Sequence, residues 1–388
     1  MMMQYNFDKE IDRSNTNSEK WNISKNELPM WVADMDFEVY PGIVDVMKKR
    51  IEQPTFGYNT IPSSFNESII NWWLNRYNTK LESSWIMFST GVIPSISSII
   101  RKVTDINDAV VVLSPVYNIF YNSISNNGRK ILDSQMIYND GKYSIDFTDL
   151  ESKLSLPETS MMIFCNPHNP IGKVWDRDTL KKIGELCIKH DVILLSDEIH
   201  ADVTALGITY NPFISISSEI SDKLIMCISP TKTFNIAGLQ TSAVVIPNDK
   251  LRERVRSGLN RDEIAEPNTF AIQALEAAYT YDGSVWVDKL RHYLHRNKRY
   301  IIDRLNMEIP EVKIIDEEGT YLLWIDLSQI TNDSKLYCDE LRSTTGLYLN
   351  PGSMYGGNSG SFVRWNFATS LSRIEDGVDR FIKFVKSN

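Results

Sequence analysis

The sequence predicts an α/β protein with a large domain on a mostly parallel sheet and a smaller α+β domain after it. Three observations predict this. Short apolar runs recur between residues 109 and 247 without polar alternation, as strands covered on both faces do. Helical periodicity separates several of them, which implies a parallel sheet whose ligands gather at the strands' carboxyl ends. The last third instead groups strands with flanking helices, the pattern of a smaller α+β unit.

Taken in order, residues 1–45 carry little periodicity and are expected to pack on the small domain. The large domain is expected over 46–275 and the small one over 276–388. The opening "MMMQYNFDKEIDRSN" has no apolar stretch of the signal-peptide kind, and its repeated Met leaves the start open. Strands are expected in "AVVVLSP", "MMIFCNP", "VILLSDEI", "KLIMCISP" and "TSAVVIP". A helix over 179–190 sets Leu180, Ile183, Leu186 and Cys187 on one face and Lys181, Lys182, Glu185 and Lys189 on the other. Beyond it come a long helix (about 286–306), strands in "VKIID" and "GTYLLWIDL", a helix near 335–343, the strand of "FVRWNFATS" and a helix over 371–386.

Composition narrows the function. The 388 residues carry a formal net charge of -9, which argues against nucleic acid or an anionic membrane as partner. No run approaches the roughly 18 apolar residues of a membrane span. The four cysteines stand singly, without the spacing of a metal site or redox pair, so buried reduced thiols are expected and no metal is. A soluble cytoplasmic protein is the expectation.

Several strands end in polar residues that a plain core does not need. "SPTKTFNIAGLQ" sets Lys232 between hydroxyl residues just beyond an apolar strand, where a solvated loop charge is the bland alternative. "VILLSDEIH" ends in Asp197, a carboxylate that costs several kcal/mol to bury unless paired or hydrogen-bonded. Strand alternation puts Asp197 and Ile199 on one face and Glu198 and His200 on the other, unless the strand ends first. In "NPHNP", Asn166 reads as a turn former and Asn169 is more open. "STGVIP" sets Gly91, Val92 and Ile93 at a helix start, where free N–H groups and the helix dipole attract an anion. Neither a P-loop nor a dinucleotide fingerprint is present. With Tyr117 of "SPVYNIFY", these are parts that hold a phosphorylated pyridine aldehyde. The helix start takes the phosphate, Asp197 keeps the ring nitrogen protonated and Asn169 donates to the ring oxygen. Tyr117 and Ile199 cover the two ring faces, and Lys232 bonds the aldehyde carbon.

The segments "LPMWVADMDF", "FGYNTIP", "NPHNPIGKVW", "LLSDEIHADV", "SPTKTFNIAGLQ", "LNPGSMYG" and "FVRWNFATS" span nearly the whole chain. In them the sequence resembles the fold-type I pyridoxal 5'-phosphate enzymes of the aminotransferase class I/II superfamily, and most the MalY/PatB cystathionine β-lyase (C–S lyase) group. The resemblance implies a homodimer with shared active sites, in which Tyr58 reaches the neighbour's cofactor phosphate. It implies phosphate contacts from Ser229 and Thr231, with Ser229 favoured, and a grip of Arg364 on the substrate carboxylate, a task suited to its planar fork. Backbone contacts of Ala33 to that carboxylate are implied as well. Gln240 stands where many aminotransferases carry a phosphate-binding arginine, and His200 where tyrosine is common near the ring oxygen.

The implied activity is β-elimination from cystathionine and other cysteine S-conjugates, giving a thiol, pyruvate and ammonia. An aminotransferase on the same scaffold is one alternative, and a regulatory binding protein is another. The latter would be marked by loss of Lys232, Asp197 or Arg364, and all three are present. The group preferred on sulfur is not legible.

Overall fold

A computed structural model describes residues 5–387; residues 1–4 of the expected N-terminal segment, with the repeated Met, lie outside them. Seven strands form the large sheet: β1 (Ile86–Ser89), β2 (Ala109–Ser114), β3 (Lys130–Gln135), β4 (Thr159–Cys165), β5 (Ile193–Asp197), β6 (Leu224–Ile228) and β7 (Ser242–Val245). Their spatial order is β1-β7-β6-β5-β4-β2-β3. All neighbours run parallel except β7, which is antiparallel to both β1 and β6.

The unalternated runs are explained by two cores, one on each face. Along β2, Val111 and Leu113 enter one core while Val110 and Val112 enter the other. Along β4, Met162 and Phe164 divide from Met161 and Ile163 in the same way. Each such buried side chain contributes about 1.5–3 kcal/mol. Helix Arg177–Lys189 covers one face through Leu180, Ile183 and Cys187, with Asp176 as its N-cap accepting from Thr179 N. Helix Val92–Val103 covers the other through Ile96, Ile99 and Val103.

The C-terminal part is a four-stranded antiparallel sheet of β8 (Lys313–Ile315), β9 (Leu322–Asp326), β10 (Asn350–Pro351) and β11 (Phe362–Asn366), in the order β8-β9-β11-β10. Helices Tyr281–Glu308, Ser334–Thr345 and Leu371–Ser387 accompany it. Leu28–Pro29 pairs in parallel with Leu347–Tyr348, and Asn366 N donates to Met30 O, so the N-terminal segment lies along this sheet. No helix among the described residues is long and apolar enough to cross a membrane. All four cysteines are buried and free.

Candidate active site

Lys232 faces inward because its turn is tied on every side. Ser229 Oγ donates to Thr241 O at 2.7 Å and lies 2.7 Å from Thr231 Oγ1. Phe234 N donates to Pro230 O and Ile236 N to Thr231 O, which closes the turn. Thr233 Oγ1 donates to the buried Asp202 at 3.0 Å. Lys232 Nζ then reaches across to Ala33 O at 2.7 Å. Desolvation first, and Arg364 second, lower its pKa to about 8, against the opposite pull of Asp34 and Asp197.

Asp197 is the last residue of β5, flanked in register by Cys165 and Cys227. Ile199 N donates to it at 3.1 Å. Burial raises its pKa to about 7, with the Ile199 N–H and Lys232 pulling the other way. A carboxylate so placed calls for a cationic partner, and no salt bridge among the described residues supplies one.

Because the strand stops at Asp197, alternation does not carry on to His200. The strand does end first, and His200 lines the same cavity as Asp197 and Ile199. Glu198 does turn away, accepting from Ser196 Oγ, Phe213 N and Tyr210. The His200 ring meets Tyr321 edge-on at 6.0 Å, and its buried Nδ1 has no partner among the described residues. Burial, with Lys232 and Arg364, lowers its pKa to about 3, so the ring is neutral.

Arg364, on β11, donates to Asn169 Oδ1 at 3.2 Å and to Trp31 O at 2.9 Å. The first contact engages the carbonyl end of the Asn169 amide and leaves its two N–H groups for a ligand. Tyr117 has its phenol pushed up to about 12, by burial above all. The segment bearing Ala33 is pinned by Asn366 Nδ2, which donates to Val32 O and Asp34 O. Helix Val92–Val103 starts after Gly91 with no side-chain cap, so its first N–H groups stay open. Ser95, through both N and Oγ, binds Gly91 O and holds that start in place.

A cavity of about 270 Å³ at the carboxyl ends of the strands brings together Ala33, Gly91, Val92, Ile93, Tyr117, Asn169, Asp197, Ile199, His200, Thr231 and Lys232. Ser229 sits behind Thr231, and Arg364 behind Asn169. Tyr58 is fully exposed and does not line it. Asn166 lies elsewhere, buried and donating to Asn211 O, as a turn former can. Sequence reasoning missed Thr90, Pro94, Ala237 and Thr241 on the walls. Thr241 carried a usable signal, a hydroxyl just before β7; its Oγ1 is buried without a partner among the described residues.

The donor set matches a phosphorylated pyridine aldehyde. Open helix N–H groups suit a phosphate, the unpaired Asp197 a ring N–H, the free Asn169 amide a ring oxygen, and Lys232 an aldehyde.

The chain belongs to the aminotransferase class I and II family, whose sequence pattern matches residues 28–381. It is 40% identical to cystathionine beta-lyase PatB of Bacillus subtilis (strain 168), over 97% of this chain and 98% of that protein. Protein MalY of Escherichia coli (strain K12) is 31% identical, over 99% of each chain. Among solved structures, cystalysin from Treponema denticola, which contains a pyridoxal 5'-phosphate cofactor, superimposes with a TM-score of 0.96 at 32% identity, covering 99% of this chain and 100% of that one.

Proposed function

We propose that the protein is a carbon–sulfur β-lyase that uses pyridoxal 5'-phosphate to cleave cystathionine and other cysteine S-conjugates into a thiol, pyruvate and ammonia. The observation that carries the reading is Lys232, its amine turned into the cavity at 2.7 Å from Ala33 O, on the wall that also holds the buried Asp197. The bound cofactor supplies an electron sink for the charge left at the substrate's Cα.

The other roles fall to the protein's own side chains and backbone. Lys232 would hold the cofactor through its aldehyde, and its amine, when free, is placed to remove the α-proton. A lysine at its reference pKa of about 10.4 would be protonated at neutral pH, and the drop to about 8 brings it into working range. Asp197 would keep the ring nitrogen protonated, its buried carboxylate being suited to a cationic N–H partner. Asn169 donates to the ring oxygen while Arg364 fixes its amide. Tyr117 and Ile199 cover the ring faces. The phosphate is held by N–H groups of Gly91, Val92 and Ile93, by Thr231 with Ser229 behind it, and by Tyr58 of the partner subunit. Arg364 and the Ala33 backbone take the substrate carboxylate. His200, neutral, stays available to the ring or the substrate.

The same reading takes the functional unit as a cytoplasmic homodimer. It divides the chain into an N-terminal segment to residue 45, a cofactor domain to 275 and a small domain to 388. The exposed Tyr58, in a stretch where Phe56 and Ile61 are also exposed, supports assembly through that surface. The test is thiol and pyruvate release from cystathionine and S-alkyl cysteines, with Lys232→Ala as control. Activity lost in the variant supports the reading, and a variant that turns over at the normal rate contradicts it.

A further inference from the structure

The geometry points to Asn235 as a positioning residue that sets where the Lys232 amine points, by fixing the Ala33 carbonyl against it. Asn235 sits three residues after Lys232, with a left-handed φ of 57°. Its Oδ1 accepts from Met35 N at 2.9 Å, and its Nδ2 donates to Met35 O at 2.9 Å and Phe37 O at 3.2 Å. One side chain thus engages both backbone groups of Met35, as a neighbouring strand would. The same segment presents Ala33 O to Lys232 Nζ at 2.7 Å and to Tyr321 OH at 3.0 Å. The lysine turn and the 33–37 segment are therefore joined at two points, one through the reactive amine and one through Asn235.

The turn has a separate anchor. Thr233 is held by Asp202, which also accepts from Trp72 Nε1 at 3.0 Å and from Tyr77. Asn366 Nδ2 and Tyr321 OH still hold the 32–34 backbone from the small-domain side. Loss of Asn235 therefore removes the direct tie between segment and turn and lets the two shift relative to each other. The chemical consequence follows from the shape of an amine. A neutral Lys232 has two N–H bonds and one lone pair, and an N–H given to Ala33 O restricts where the lone pair points. Misplacing a reacting atom by about 1 Å can cost about a hundredfold.

The inference rests on Lys232 being the cofactor lysine and base. Its test uses two readouts. In cofactor-free protein, attachment of added pyridoxal 5'-phosphate is followed by absorbance. In loaded protein, thiol release is measured with ordinary and α-deuterated S-alkyl cysteine. Asn235→Gly tolerates the positive φ and removes the clamp. It is expected to attach the cofactor about ten- to a hundredfold more slowly, to lose kcat with little change in KM, and to show a larger α-deuterium effect. Asn235→Asp also tolerates that φ and sets a carboxylate against two carbonyls, so it is expected to act in the same direction and serves if the glycine variant does not fold. Wild-type attachment rate and isotope effect, with only the thermal midpoint lowered, would overturn the inference. A wild type that binds cofactor yet releases no thiol would count against the lyase reading alone, and the attachment rates would still decide Asn235.

Discussion

Asp197 carries two consequences that one substitution separates. Asp197→Asn removes the acid that keeps the ring nitrogen protonated, so kcat is expected to fall by several orders of magnitude, each tenfold being about 1.4 kcal/mol of barrier. Steady-state thiol release on cofactor-loaded variant checks this, and near-normal turnover would reduce Asp197 to a strand cap. The second consequence is pH-dependent. Burial raises Asp197 and Glu198 each to about 7, whereas unfolded carboxyls titrate near 3.9 and 4.3. Between those values the native state holds protons that the unfolded state has released, so each group's stabilising effect is full below about 4 and is lost as pH rises towards 7. Cofactor-free Asp197→Asn is therefore expected to lose stability less steeply over that window, by at most about 1.4 kcal/mol per pH unit. Urea unfolding at several pH values measures it, and parallel slopes for the two proteins would refute it.

At the scale of elements, local pattern explains part of what folds. Runs such as 109–115 and 161–167 read as strands because both faces are buried, and Lys232 and Asp197 stood out because a charge at the end of such a run demands a reason. The edges did not read. β1 has only four residues, and β3 has just Ile131 and Leu132 apolar before the polar Asp133, Ser134 and Gln135, so neither resembles the central runs. The side taken by His200 hung on where β5 ends, and alternation alone does not give that end point. The segment 31–37 entered the site only through the resemblance, at Ala33; local pattern does not reach it, since its bonds to Asn235, Arg364 and Asn366 join residues about 200 or more positions apart. Caps, by contrast, are local. Asp176 accepts from Thr179 N at 2.8 Å, so Asp176→Ala is expected to cost about 1 kcal/mol and to lower the thermal midpoint. The Asn169–Arg364 contact lies outside that helix, so kcat should hold; a large loss of kcat would mean the cap sets the site.

For the whole molecule, shared sites predict complementation. Tyr58→Ala and Lys232→Ala, each inactive or nearly so, should regain part of the wild-type activity when mixed under conditions that let subunits exchange, because one site of the mixed dimer keeps both residues. Activity that stays monomeric at every concentration would refute this. The central claim, elimination rather than transamination, is a question of where the charge at Cα goes, and Lys232, Asp197 and Arg364 serve either course. Product stoichiometry separates the two. With cystathionine or an S-alkyl cysteine and no keto acid, the protein is predicted to release thiol, pyruvate and ammonia in equal amounts over many turnovers. A single turnover that stalls and restarts only on addition of a keto acid would contradict the account.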